Sequence, residues 1–510
     1  MKIVTNMTIG KMLENTVKSY SGNNAVEYMG EYWSYRQLDE KTDELAYLFL
    51  NKGLCRAKKA GLLVGNTPNA LFVFLALEKI GAIPVLLHTS WTMEEVQTYL
   101  DFVEADCFIY DENYKDDYTT EIGINSYCLT DLINASQSLS IIEKEQLKCE
   151  EDKVLATDTD VILFTSGSTD KPKAVVTNHF SRVNNAYAQA EILKANYQDV
   201  FCTLLPMFHC FSLSGNIMAA LSCGACISFP LSRKTEHVLK AIERSTATVL
   251  NAVPTFYSAL LANKTREQYK TDSLRAGVIG GAGYSSDFFM RVEKELGIKL
   301  IPSLGLTEAT AGITAGRYED TSDSRAEHVG GFLEHIEGKI KRINSTEEVA
   351  KGEIGEICVR GYNVMQMYYK QQQLTAEVID EEGFLHTGDT GYLDADGNVY
   401  ITGRCKEIII RGGENIAPAG IENIIGELPE VERVKVIGVP DEHFGEEICA
   451  CVECVFGKTV SEEDIRHHLK GRIAEYKIPR YIRFLEMIPM TGSGKVNIEK
   501  LRQLAVAEEE

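Results

Sequence analysis

The sequence predicts a multidomain α/β protein, and three observations carry that expectation. Helical stretches (Asp39–Leu50, Asn69–Ile80, Glu94–Val103) alternate with short apolar strands (Ala60–Val64, Pro84–Leu87, Cys107–Tyr110), the pattern of a parallel sheet covered by helices. The same rhythm resumes in strands predicted at Thr203–Pro206, Cys226–Pro230, Thr248–Val253, Ala276–Ile279 and Lys299–Pro302. At 510 residues the chain also exceeds what one hydrophobic core ordinarily supports, so two or more domains are expected.

From Gly352 the pattern tightens into closely spaced strands and glycine turns, at Gly352–Gly361 and Asp394–Ile401, and reads as a small β-rich unit. Past Arg404 an α+β rhythm returns. It holds a helical stretch over Glu462–Tyr476, a strand over Tyr481–Leu485 and a glycine-rich loop carrying Lys495. The domain boundary is placed at Arg404 to Lys406, giving domains 1–405 and 406–510.

Composition narrows the function. The 44% hydrophobic and 25% charged fractions are those of a globular protein. A net charge of -22 repels nucleic acid and anionic membrane at long range, so an anionic ligand needs a local cluster of donors. The N-terminus is broken by Asn6, Thr8, Gly10 and Lys11 before a signal-length apolar run accumulates. The longest apolar run, Ala70–Leu77, stops well short of the roughly 20 residues that span a bilayer. Thirteen scattered cysteines fit reduced thiols in a cytoplasm. Cys223 with Cys226, and Cys449 with Cys451 and Cys454, have ligand-like spacing, yet they lie in apolar runs without partner pairs and read as small buried hydrophobes.

Four polar clusters carry candidate chemistry. Between the apolar runs Val161–Phe164 and Ala174–Val176 lies Thr165, Ser166, Gly167, Ser168, Thr169, Asp170, Lys171, Pro172 and Lys173: four hydroxyls, a glycine and two lysines, either a polyphosphate cradle or a Ser/Thr/Gly-rich turn. It lacks the spacing of a P-loop. Ser303–Glu308 places a hydroxyl, Thr307, beside a carboxylate, Glu308, after a strand; this suits a phosphate oxygen and Mg²⁺, or equally a helix cap with an acidic first turn. Asp389, followed by Arg404, is a candidate sugar ligand, or an Asx turn with a surface ion pair. Lys495, flanked by Gly494 and Val496, sits on a flexible loop able to approach an anionic centre.

Taken together, Thr165–Lys173, Ser303–Glu308, Thr387–Asp389, Gly403–Arg404 and Gly494–Lys495 resemble, in order and spacing, the motifs of the adenylate-forming superfamily of acyl-CoA synthetases, peptide-synthetase adenylation domains and beetle luciferases. The resemblance spans nearly the whole chain, from Trp33–Asp39 onward. It implies a large N-terminal domain of two α/β subdomains plus a β-barrel-like subdomain, then a small mobile α+β C-terminal domain. It implies ATP, Mg²⁺ and coenzyme A as reactants of an acid–thiol ligase, a cytoplasmic monomer or homodimer, and no membrane or nucleic-acid partner.

The roles implied by the resemblance follow position by position. Thr165, Ser166, Gly167, Ser168, Thr169 and Lys173 hold the β- and γ-phosphates; Thr307 touches the α-phosphate and Glu308 the Mg²⁺. Asp389 and Arg404 bind ribose, and Gly281, Ala282, Leu304 and Gly305 belong to the segments lining the adenine and acyl sites. Lys495 bridges carboxylate and α-phosphate. Lys406 is the hinge, Gly412 and Gly413 line the pantetheine passage, and His209 lies between acyl pocket and thiol.

Asp170 and Ala174 stand where family members commonly carry glycine, and Leu304 where many carry an aromatic. The segment Phe208–Ser214 contains no acid, so an α-amino-acid ammonium would be buried without a partner; a fatty or aryl acid fits better, with Met207, Phe208, Phe211 and Leu213 as pocket wall or ordinary core. The acceptor is coenzyme A, or alternatively a carrier protein's phosphopantetheine arm. A nucleotide-binding regulator disabled by Asp170 is the reading from another class.

Overall fold

The computed structural model describes residues 4–114, 123–165, 173–407, 409–411, 414–416, 418–441, 444–490 and 496–506. Contacts divide the chain into two compact units, Met1–Gly338 with Val359–His386, and Lys339–Cys358 with Thr387–Glu510.

In the first unit a seven-stranded sheet runs in the order Met367–Tyr368, Lys173–Asn178, Thr159–Thr165, Ile83–Leu86, Lys59–Leu63, Cys107–Tyr110, Asn125–Cys128. Thr159–Thr165 and the four strands from Ile83–Leu86 to Asn125–Cys128 pair in parallel, and the apolar runs of Ile83–Leu86 and Cys107–Tyr110 are those of strands buried on both faces. Lys173–Asn178 pairs antiparallel on Thr159–Thr165, setting Thr165 opposite Lys173. Between strands, the helix Pro68–Lys79 is capped by the Thr67 hydroxyl and buried all round, which explains its uninterrupted apolar run. Its buried Lys79 reaches Asp39 (2.7 Å) and Asp43.

A second sheet of this unit runs Glu31–Ser34, Asn24–Tyr28, Cys226–Phe229, Val200–Cys202. Single bridges at Val249 and Ala252 link it to the parallel pair Ala276–Ile279 and Lys299–Pro302. Two predicted strands differ here. The strand expected at Thr203–Pro206 lies earlier, at Val200–Cys202, because the Leu205 carbonyl is taken by the side chains of Asn66 and Ser212. Thr248–Val253 forms only isolated bridges, since the Asn251 side chain accepts the Val278 amide proton at 2.7 Å and interrupts the ladder.

A four-stranded sheet, mostly in the second unit, runs Ile336–Lys341, Gly355–Gly361, Leu385–Leu393, Val399–Arg404. The C-terminal part of that unit is built on the long pair Val431–Asp441 and Gly445–Cys454, with Tyr481–Phe484 parallel to the latter. Period-two alternation explains the cysteine spacing there: Ile448, Ala450 and Val452 pack with Ile465 and Leu469 on one face, while Cys449 and Cys451 pack with Leu501 and Ala505 on the other. The predicted helix Glu462–Tyr476 ends at Leu469, because Gly471 takes a φ of +77° and turns the chain away. Among the described residues, no helix is long and apolar enough to cross a membrane.

Candidate active site

The first unit gathers its polar candidates at the end of the Thr159–Thr165 strand. Thr165 and Lys173 face each other across the two strands and flank the segment 166–172. The Lys173 ammonium lies 5.5 Å from the ring centre of Tyr368, which sits on the adjoining edge strand paired to Val175. Tyr368 Oη donates to Glu308 Oε1 at 2.8 Å. Burial first, and then the Glu308 carboxylate, push the phenol up, so Tyr368 remains the donor in this pair.

Glu308 rides on the tight 3₁₀ turn Thr307–Ala309. The turn is clasped between Gly305 and Gly312, which form a bridge, and between the Leu306 amide and the Ala311 carbonyl (2.9 Å). Only glycine serves at Gly305, since a Cβ there would lie 2.5 Å from the Ala311 carbonyl oxygen. Met365 N donates to the Glu308 backbone carbonyl at 2.8 Å, so Glu308 is held at its backbone as well as at its carboxylate. The Thr307 hydroxyl donates to Cys210 Sγ at 3.6 Å, and burial raises that thiol's pKa.

These donors fit a divalent cation and phosphate. Among the described residues Glu308 Oε2 carries no hydrogen bond, leaving one carboxylate oxygen on the same turn as a threonine hydroxyl, and hard oxygen ligands are those Mg²⁺ prefers. Leu304 is buried in the same loop, and its amide is held by the Thr314 hydroxyl at 3.1 Å. Gly281 has a φ of +83° and Ala282 is exposed beside it.

His209 is exposed at the N-cap position of the short helix Cys210–Ser212, which widens into a π-helical segment over Leu213–Met218. Its ring lies 4.6 Å from Phe208 and 6.1 Å from His88. His88, which sequence reasoning missed, also packs 4.3 Å from Phe208; burial and then Arg233 push its pKa down. Met207 and Leu213 are fully buried, and Phe211 packs on the core that holds Tyr257 and Phe289.

In the second unit Asp389 and Arg404 are register partners, joined by Nε to Oδ1 at 2.9 Å. Asp389 is buried, its amide held by the Thr387 hydroxyl (3.1 Å), whereas the Arg404 side chain is 59% exposed, so screening leaves the pair worth little as a stabilising bridge. Lys406 lies in the 3₁₀ turn Cys405–Glu407 that follows. Ser166, Gly167, Ser168, Thr169, Asp170, Gly412, Gly413 and Lys495 lie outside the described residues, as does the Lys406 side chain. Tyr368, the residue tying Lys173 to Glu308, had no sequence signal beyond its place in an apolar segment.

Residues 13–369 match the profile of the AMP-binding enzyme family, and residues 420–495 that of the AMP-binding enzyme C-terminal domain. YngI of Bacillus subtilis (strain 168), provisionally named an acyl-CoA synthetase, is 34% identical, covering 98% of this chain and 97% of its own. The mitochondrial medium-chain acyl-CoA ligase ACSF2 of Danio rerio is 30% identical over 97% of this chain and 88% of its own. Among solved structures, ATP-bound MatB from Rhodopseudomonas palustris superposes with a TM-score of 0.86 at 26% identity, covering 98% and 99% of the two chains. The o-succinylbenzoate CoA synthetase MenE from Bacillus subtilis, in complex with its acyl-adenylate intermediate, superposes with a TM-score of 0.83 at 25% identity, covering 98% of each.

Proposed function

This chain belongs to the AMP-binding enzyme family, and from that premise we propose that it is an AMP-forming acid–thiol ligase acting on a fatty or aryl acid. A carboxylate oxygen attacks the α-phosphorus of ATP, the bond to the bridging oxygen breaks, and pyrophosphate leaves. The coenzyme A thiolate then attacks the acyl carbon and AMP departs with the electron pair. Carboxylate is a poor electrophile, and the phosphate leaving group removes that barrier.

The observation that carries this reading is the Lys173–Tyr368–Glu308 constellation, with Thr307 on the same turn. It sets a cation, a hydroxyl and a half-open carboxylate at the end of one strand pair. Lys173 and Thr165, with Ser166, Gly167, Ser168 and Thr169, hold the β- and γ-phosphates; Thr307 donates to the α-phosphate. Mg²⁺ bound at Glu308 would offset phosphate charge. Tyr368 fixes which Glu308 oxygen is engaged, so the other keeps one orientation. Asp389 and Arg404 take the ribose hydroxyls, Lys495 neutralises the charge that develops on the α-phosphate, and His209 lies on the thiol's approach. Gly281, Ala282, Leu304 and Gly305 line the adenine and acyl sites. Lys406 is the hinge of a C-terminal domain over 406–510 that brings Gly412 and Gly413 to the pantetheine arm.

The absence of an acid in Phe208–Ser214 and the packing of Phe208 support an apolar acid. The cysteine usage supports a cytoplasmic enzyme. The test is pyrophosphate–ATP exchange across a panel of fatty, aryl and amino acids, then thioester formation with coenzyme A or a phosphopantetheinylated carrier. Exchange with apolar acids and a CoA product is expected; exchange confined to amino acids would overturn the substrate class, and carrier-only transfer would replace the acceptor.

A further inference from the structure

Behind the Thr307–Glu308 turn lies a buried ion pair for which the reaction itself has no use. Arg182, on the first turn of the helix His179–Ile192, and Asp160, on the strand Thr159–Thr165, are both fully buried. Arg182 Nε donates to Asp160 Oδ2 at 2.7 Å, and Nη2 donates to the Thr177 hydroxyl at 2.7 Å, which itself donates to Asp160 Oδ1 at 2.6 Å. The third nitrogen, Nη1, points the other way. It donates to Ser214 Oγ at 2.7 Å and to the Thr310 carbonyl at 3.1 Å.

Thr310 is the unusual residue. It ends the Thr307–Ala309 turn with φ 63° and ψ -32°, a backbone state that a β-branched side chain rarely occupies. Such strain persists only where surroundings over-determine it, and here they do. The Thr310 carbonyl accepts from both Arg182 Nη1 and Ser214 Oγ (2.9 Å), its hydroxyl donates to the Asn363 carbonyl at 2.6 Å, and its amide closes the turn onto Thr307 at 3.0 Å. Asp160 lies upstream of Thr165 on the same strand. One guanidinium therefore spans from the strand that leads into the phosphate segment to the turn that carries Thr307 and Glu308.

We propose that Arg182, anchored by Asp160, is a positioning residue for adenylation, holding the Thr310 carbonyl and so setting the Thr307–Glu308 turn at a fixed distance from the Thr165 strand. The inference rests on the adenylating function given above. A planar fork suits this task because three nitrogens with fixed directions tie together groups on separate elements, which a lysine ammonium cannot reproduce. Chemistry on a triphosphate depends on placement, and a displacement of about 1 Å can cost on the order of 10²-fold in rate.

The test separates positioning from stability. Removing one partner strands a buried charge, whereas replacing both by apolar residues is often neutral for folding. The double variant Asp160→Leu/Arg182→Met and the single variant Arg182→Lys are compared with the unmodified chain for melting temperature, MgATP affinity by calorimetry, and kcat and KM in acid-dependent pyrophosphate exchange. The double variant is expected to melt with the unmodified chain while kcat falls about 10²-fold and the Mg²⁺ requirement rises, with KM for the acid within about twofold. Arg182→Lys is expected to show the same kcat loss at a normal melting temperature. A folded double variant with unchanged kcat and MgATP affinity would overturn the proposal. So would a normal kcat in Arg182→Lys, the deciding variant if the double one does not fold. An unmodified chain that neither binds MgATP nor exchanges would instead overturn the functional reading on which the proposal rests.

Discussion

The Tyr368 hydroxyl donates to Glu308 Oε1, and that bond decides how the carboxylate is presented. In Tyr368→Phe the ring beneath Lys173 survives while the Oη donor is lost. A hydrogen bond to a charged group is worth about 1.5–3 kcal/mol, so exchange is expected to fall roughly 10- to 10²-fold and the Mg²⁺ concentration for half-maximal rate to rise, with the acid KM little changed. A magnesium titration of the exchange rate checks this, and an unaltered curve would remove Tyr368 from the site. Lys495→Ala should cost on the order of 10²- to 10³-fold in exchange as well as in thioester formation, since its assigned role lies in the first half-reaction. Intact exchange with failed thioester formation would place the lysine in the second half instead. Glu308, Thr307 and Lys173 could be singled out as candidates from the sequence because each sits in a short polar motif against an apolar strand. Tyr368 was not, for its bond to Glu308 crosses a separation of 60 residues and depends on its pairing with Val175.

At the scale of elements, the loop from Ser303 to Gly312 behaves as one unit, with the strained Thr310 at one end and the Gly305–Gly312 bridge at the base. Gly305→Ala tests it directly. The added methyl would meet a backbone carbonyl at 2.5 Å, where nothing flexible can yield, so a loss of about 1–3 kcal/mol in stability and a larger loss of exchange are expected. Calorimetric melting set beside exchange activity measures both, and a variant normal in each would show the loop to be looser than described. Apolar periodicity located the buried strands well: Cys107–Tyr110 and Ala276–Ile279 lie where their runs predicted. It failed where side chains intervene in the backbone ladder, at Asn251 and at Leu205, and where Gly471 turns the chain out of a helix. Such interruptions are tertiary events without a periodic signature. The Asp160–Arg182 pair escaped sequence reading for the same reason, since a charged residue inside an apolar strand declares a partner but not which one.

Across the whole molecule, buried titratable groups make stability depend on pH. His179 is fully buried, with Ile9 N donating to its Nδ1 at 3.4 Å and the Glu78 carboxyl 3.4 Å away, while Asp160, Asp158 and Arg182 act on it from neighbouring elements. Burial dominates these influences and lowers its pKa from 6.5 to about 4. Between those values the unfolded chain binds more protons than the native one, so this contribution is complete above about 6.5 and is lost as pH falls toward 4, on the order of 3 kcal/mol in all. Burial raises the Glu78 carboxyl, with the opposite sign: its contribution is present at low pH and lost as pH rises through its elevated native value. His179→Gln should therefore melt less steeply with acidification than the unmodified chain when the two are compared between pH 7 and pH 4.5, and parallel curves would contradict the assignment. The multidomain α/β organisation was legible from alternation and length, because periodicity reports burial over many residues at once. The central claim, that this chain adenylates an apolar carboxylic acid, is tested most directly by acid-dependent exchange of labelled pyrophosphate into ATP. Exchange that appears with fatty or aryl acids and vanishes without acid or without Mg²⁺ is the predicted result; MgATP binding with no exchange across the whole panel would contradict it.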